Sequence, residues 1–246
     1  MSRLMTELKQ AIWSLSAKLQ FSATVIITLA LTMGMLIAVF NLNYLLIAKP
    51  LPYPDEDRLV TVWVETHHTP SGRFSDYNTP MGLTELYKQQ DVLESQGLLY
   101  QGQGLLTNHP EQPNLSVGYI SHEYLTLLGA EYVQGQGFEV PNNIDDKIPQ
   151  VVISYDAWVK WFNKANDVIG KVAQIGDIQF KIIGVLSEGF VEFRRRPELD
   201  SPQIWLPWSY LPLDMTGWNN SFSNLGAVAK VPANKTITEV EANLST

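Results

Sequence analysis

FSATVIITLALTMGMLIAVFNLNYLLIA, from Phe21 to Ala48, contains no charged side chain in 28 residues. A run of about 18 apolar residues suffices for a membrane-spanning helix. At about 1.5 Å per residue this run reaches roughly 42 Å as a helix, against a hydrocarbon core of about 30 Å. It therefore tilts or continues past the bilayer as a stalk. Asn41, Asn43 and Tyr44 lie near its end, where such a stalk begins. A cleaved signal peptide has a shorter apolar core, about 7 to 15 residues, and a small-x-small cleavage site. Here the run is long and Lys49-Pro50-Leu51-Pro52 follows. The reading is a retained anchor.

Charge is divided about this run. Arg3, Lys9 and Lys18 against Glu7 leave +2 on residues 1–18, and the other 14 basic and 24 acidic side chains leave −10. By the positive-inside rule the N-terminus is cytoplasmic and the chain after Lys49 lies outside. Leu4, Leu8, Ile12, Leu15 and Leu19 share one helical face, with Trp13 as an interface anchor. Both a helix lying on the inner leaflet and an extension of the spanning helix fit that pattern.

The whole chain has 246 residues, 45% of them hydrophobic, and no cysteine. The composition is globular. Disulfides, zinc–thiolate sites, iron–sulfur clusters and cysteine nucleophiles are excluded. An acidic chain of net charge −8 lacks the basic face that binding nucleic acid requires.

Beyond the anchor, prolines at 50, 52 and 54 make a stiff exit. Alternation predicts strands over Arg58 to Glu65, Gly97 to Tyr100, Leu115 to Ile120, Gln150 to Ile153 and Leu225 to Val231. A short extended run covers Ile204 to Leu206. Lys171 to Ile175 and Ile178 to Val185 form a hairpin about Gly176-Asp177. Thr79-Pro80 opens a helix to Gln90, Ser121 caps a short helix ending at Gly129, and Ser154 caps another over Tyr155 to Asn163. Thr236 to Glu239 is a capping box that starts a last helix.

Catalytic chemistry finds no foothold. Gly170-Lys171-Val172 lacks the remaining glycine and the hydroxyl of a phosphate-binding loop. Gly102-Gln103-Gly104 and Gly135-Gln136-Gly137 lack the third glycine of a dinucleotide site. Glu65, His67 and His68 lack metalloprotease spacing, His109 and His122 read as surface residues, and Asp145-Asp146 reads as a polar turn. Arg194 to Arg196 reads as a solvated loop, with contact to a partner or to lipid headgroups as its alternative. Trp205, Trp208 and Trp218 read as packing, with an exposed binding surface as theirs. No catalytic, cofactor-binding or metal residue is nominated.

The stretch Leu29 to Val60, LALTMGMLIAVFNLNYLLIAKPLPYPDEDRLV, resembles the first transmembrane helix and exit of MacB-like or FtsX-like ABC transporter permeases. Pro50 to Val60 is its most specific part. Lys49 stands where the family pattern has arginine, and Met33-Gly34-Met35 replaces a glycine-rich run. Tyr124 to Phe138, Val151 to Phe162, Asp167 to Gly170, Ile175 to Gly189 and Ile204 to Trp208 are similar to later family segments, in order. Gln136 and Ser187 depart from the family's arginine and proline.

The resemblance implies an α+β protein: one transmembrane helix, then a mixed periplasmic domain. Residues 1–20 are then a cytoplasmic segment, 21–48 the span and 49–246 the periplasmic core. The core has porter-like halves of split β-α-β type, about 49–121 and 190–246, around a sabre-like insert at 122–189. The resemblance also implies that the chain is not itself an enzyme and sits in a bacterial inner membrane. ATP and magnesium belong to a cytoplasmic partner ATPase. The other implied partners are a second copy or a related permease, a periplasmic adaptor and membrane lipid. Family members carry further spanning helices, so the chain is expected to be the N-terminal portion of a longer permease. A stand-alone anchored binding module is the alternative.

Overall fold

The computed structural model describes residues 5–7, 13, 18–45, 52–62, 78–89, 92–193, 198–213 and 220–244. The chain separates into two compact units, Met1–Leu51 and Pro52–Thr246.

In the first unit, helix α1 spans Leu19–Asn43. Within Gln20–Asn43 an 18-residue window reaches a mean hydropathy of 2.4, and the helix is long and apolar enough to cross a membrane. The hydroxyls of Thr24, Thr28 and Thr32 donate to the carbonyls of Gln20, Thr24 and Thr28 at 2.9, 2.8 and 3.0 Å. Each of these three hydroxyls is thereby satisfied within the helix. The residues that decide whether the leucine face of residues 4–15 is a separate helix lie outside the described ones, as do residues 46–48 of the expected span.

The second unit is built on one nine-stranded sheet with helices on both faces. Its strands are β1 (Leu59–Val62), β2 (Ser95–Leu105), β3 (Asn114–Ile120), β4 (Tyr132–Gly135), β5 (Gln150–Ile153), β6 (Val172–Ile175), β7 (Ile178–Leu186), β8 (Ile204–Pro207) and β9 (Leu225–Lys230). Their order is β1-β9-β2-β3-β8-β5-β7-β4, and β6 also pairs with β7. Helix α2 (Pro80–Gln89) joins β1 to β2. Both strands are antiparallel to β9, which lies between them. They therefore run parallel, and β1-α2-β2 is a split β-α-β unit.

Strand alternation sends neighbouring residues to opposite faces. On one face, Leu83 of α2 and Val240 of α5 (Ile237–Leu244) pack over Leu98, Ala227 and Ala229. Farther along that face, Ala157 and Trp158 of α4 (Tyr155–Trp161) pack over Val151, Ile153, Ile182 and Ile204. On the opposite face, α3 (Tyr124–Leu127) covers Leu99, Val152, Trp205 and Val228. Gly97 makes that approach feasible, because a Cβ there would lie 2.8 Å from the Tyr124 Cα.

Local signals translate directly. The Thr79 hydroxyl accepts from the Gly82 amide at 3.1 Å, and the Ser154 hydroxyl from Ala157 at 3.0 Å. Thr236 and Glu239 close the capping box, with Thr236 N donating to Glu239 Oε2 at 2.7 Å. Ile175 pairs with Ile178 across a turn whose Gly176 has φ +59°.

Other expectations need correction. Ser121 does not cap α3, which begins three residues later without a side-chain cap. Its hydroxyl instead accepts from the Leu98 amide at 3.1 Å and ties the turn to β2. The strand expected at Gly97 to Tyr100 runs eleven residues, Ser95–Leu105, because β9 and β3 pair with successive portions of it. Helix α4 stops at Trp161, and Asn163 and Lys164 turn away with φ of 52° each. β1 is described only to Val62; Trp63 to Glu65 lie outside the described residues.

Candidate functional site

The first residues of the outer body form a collar. Prolines deny the start of this stretch an α-helix, a single 3-10 turn covers Glu56–Arg58, and successive side chains reach three different partners. Tyr53 packs against the cluster around Tyr124 and Trp205. Pro54 lies against Gly129, at the end of α3. Gly129 has φ +69°, and a Cβ on it would approach Pro54 Cγ to 2.6 Å. Only glycine meets both demands without strain. Asp55 is itself left-handed, with φ 50°.

Asp55 then enters a four-charge network. Its Oδ2 accepts from Arg58 Nη2 at 3.0 Å and from Lys230 Nζ at 2.6 Å. Glu94 Oε2 accepts from Arg58 Nη1 at 2.6 Å, and Glu94 Oε1 lies 3.4 Å from Lys230 Nζ. Arg58 Nη1 also donates to the Val231 carbonyl at 3.1 Å. Signs alternate around the ring, so each charge faces two of the opposite kind.

The hydrogen bond from Lys230 is the main cause holding the Asp55 carboxyl below its ordinary range, and the one from Arg58 does the same for Glu94. Arg58 and Lys230 are raised in turn, chiefly by Glu94 and by Asp55. The network joins the collar to the end of β9 and the start of β2. The residues following the anchor in sequence are thus bound to the sheet by charge and to α3 by shape.

A second polar centre lies beneath α3. Glu192 is buried, with 7% exposure. Tyr124 Oη donates to its Oε1 at 2.6 Å, and Trp205 Nε1 to its Oε2 at 3.1 Å. Burial pushes this carboxyl up to about 7, against the downward pull of the two donors. It lines a cleft of about 230 Å³ with Asp156, Glu188, Phe190, Gln203 and Trp205.

The features singled out in the sequence fall elsewhere. Trp205 and Trp208 are core residues, each 2% exposed, which corrects the alternative of an exposed tryptophan surface for both. Trp218, Glu65, His67, His68 and Arg194 to Arg196 lie outside the described residues. His109 stands edge-on to Trp161 at 5.5 Å. His122 is half-buried, not a free surface residue, with Nδ1 3.1 Å from Glu123. Asp145 meets Lys88 at 3.0 Å and Asp146 accepts from the Asn143 amide, as a polar turn does. Gly170 leads into β6 with φ +87°, and Lys171 pairs with Asp167 at 2.8 Å.

Sequence reasoning missed both polar centres. Glu94 and Lys230 have no local signal, since their partners lie far along the chain. Glu192, between Val191 and Phe193 and before three arginines, resembles an ordinary surface acid.

Comparison with known proteins accords with this geometry. The family model described as the MacB-like periplasmic core domain matches residues 22–246. A macrolide export ATP-binding/permease protein MacB of Psychrobacter arcticus is 27% identical over 106 residues, 43% of this chain and 16% of that protein. The corresponding protein of Psychrobacter cryohalolentis is 26% identical over 106 residues, with the same coverage. The match thus spans about a sixth of these relatives' length.

Among solved structures, the periplasmic region of MacB from Actinobacillus actinomycetemcomitans superposes with a TM-score of 0.55 at 17% identity, over 76% of this chain and 80% of that one. The extracellular domain of the noncanonic ABC-type transporter YknZ from Gram-positive bacteria gives 0.53 at 16% identity, over 76% and 95%. These two likenesses establish the fold. With its family match running from within α1 to the last residue, the chain belongs to the MacB-like periplasmic core domain family.

Proposed function

We propose that this chain couples ATP hydrolysis by a partner ATPase to movement of an extracytoplasmic domain, in the service of export or force transmission. In this reading α1 crosses the inner membrane with its N-terminus in the cytoplasm, and the outer body lies in the periplasm. ATP and magnesium stay with the ATPase. A second copy or a related permease completes the membrane part, and a periplasmic adaptor is a further partner. Residues 49–121 and 190–246 act as porter-like halves and 122–189 as the sabre-like insert. In support of that division, β4 to β7 all come from the insert and occupy one end of the sheet.

The collar carries the proposal. A segment that only tethered a domain would need no fixed geometry. This one is locked by alternating charges to β9 and β2, and by Pro54 against Gly129 to α3. Displacement arriving along the chain would then reach the sheet and α3 together. No catalytic role is assigned to the domain.

Substitution of Gly34 by proline in the full-length protein, assayed with its ATPase, tests the lever. Proline removes a helical hydrogen bond and kinks the helix. Transport is expected to fall at least tenfold while ATP binding is retained. Unchanged transport would contradict a rigid lever. The alternative of a stand-alone binding module has lost Trp205 and Trp208 as its surface, since both are buried.

A further inference from the structure

Residues 187–193 form an irregular strap between the end of β7 and the chain leading to β8. The Ser187 amide fixes its start by donating to the Glu131 carbonyl at 2.9 Å. Phe190 and Phe193 press on the cluster around Tyr124 and Trp205, with Phe190 edge-on to Trp205 at 5.8 Å between ring centres. Between these two phenylalanines, Glu192 turns inward. Its carboxyl is the only acidic side chain among the buried residues described.

The surroundings suit a protonated carboxyl better than a charged one. Burial outweighs the two donors, Tyr124 from α3 and the indole of Trp205 from β8, which favour the charged form but carry no positive charge. Glu188 of the strap and Asp156 of α4 share the cleft, and both are acidic. Tyr53 of the collar adds only a weak repulsive influence, felt by Tyr124. Among the described residues that line the cleft there is no lysine, arginine or histidine; at its edge Lys164 donates to the Tyr155 hydroxyl at 2.9 Å and feels Glu188.

Tyr124 Oη also lies 3.4 Å from the Phe193 carbonyl. A protonated Glu192 can therefore donate to Tyr124 Oη, and Tyr124 can direct its own hydrogen bond to the Phe193 carbonyl. Among the described residues an ionised Glu192 keeps only the two donors, neither of them a cation, and a buried charge so held is costly.

We propose that Glu192 is a proton-operated latch: protonated, it holds the strap down on Tyr124 and Trp205; ionised, it releases the strap and opens the cleft to water. No atoms are exchanged beyond one proton with solvent. The latch belongs to the outer body alone and operates whether or not that body is driven by an ATPase.

The direction follows from linkage. The closed state holds this proton up to about pH 7, whereas a solvated glutamate loses it near 4.5. Closure is therefore strongest at acid pH, weakens as pH rises between these values, and reaches its floor above about 7. That difference corresponds to roughly 300-fold in the open–closed equilibrium, about 30-fold of it between pH 5.5 and 8.5.

Amide hydrogen exchange on the full chain in detergent micelles, corrected for the intrinsic effect of pH, reads this directly. Protection of amides 187–193 is expected to fall about 30-fold from pH 5.5 to 8.5, with amides of β2 and β9 unchanged. Glu192→Gln, permanently neutral, is expected to stay protected at both values. Should that variant not fold, Tyr124→Phe serves instead: it removes a donor that favours the charged form, so the midpoint moves to higher pH. Equal strap protection at both values in the wild type, a loss spread evenly over the body, a Gln variant that keeps the full pH response, or an unmoved midpoint in the Phe variant would each overturn the latch.

Discussion

Gly129 shows how much can rest on one residue. It takes a left-handed turn and gives Pro54 its place. Gly129→Ala therefore combines backbone strain with a clash, and about 1–3 kcal/mol of stability should be lost in urea titration. Trp205 is of a different kind. It fills the core above Gly118 and donates to Glu192. Trp205→Ala leaves a cavity and an unmet carboxyl oxygen, at a cost of about 3–5 kcal/mol. A binding-surface tryptophan would be lost at almost no cost to stability, so the same denaturation measurement separates the two roles.

Elements were legible in the sequence where their cause was local. The Gly176-Asp177 hairpin, the Ser154 cap and the Thr236–Glu239 box each depend on residues a few positions apart, and each forms. Ser121 misled because its hydroxyl serves the Leu98 amide, 23 residues away, rather than the helix that follows it. The extent of β2 depends on β9, and the collar network depends on Arg58 reaching Val231, 173 positions on. Residue patterns do not carry such pairings. The burial of Glu192 was illegible for the same reason, because it requires α3 and β8 to meet over the strap.

Two predictions belong to this scale. Ser154→Ala should destabilise by about 1 kcal/mol through loss of the α4 cap, measured by thermal unfolding. Arg58→Met should lower stability at pH 7 by removing the centre of the network. Because Asp55 and Glu94 are depressed, their contribution is present above their ordinary values of 3.8 and 4.5 and is lost as pH falls below them. The gap between wild type and variant should therefore narrow as unfolding is followed down from pH 5 to pH 3. A constant gap would assign the effect of Arg58 to packing.

At the scale of the molecule, a 24-residue apolar stretch leads into an acidic body whose sheet contains a split β-α-β unit. The family relationship accounts for that sequence of parts. The collar adds a reason for their order, since Tyr53 to Arg58 are fastened to the ends of β9 and β2 and to α3. The absence of cysteine makes the decisive experiment accessible, because one introduced thiol is unique in this chain. Val140 is 76% exposed and far from the collar in sequence. The measurement is energy transfer from a fluorophore on Val140→Cys to acceptor lipids, in the full-length protein reconstituted with its ATPase, with and without ATP. ATP is predicted to change the transfer efficiency, and the change is predicted to disappear in Gly34→Pro and in the Asp55→Lys, Glu94→Lys double variant while ATP is still hydrolysed. No response to ATP in the parent protein, or a full response in both variants, would contradict coupling through the helix and collar.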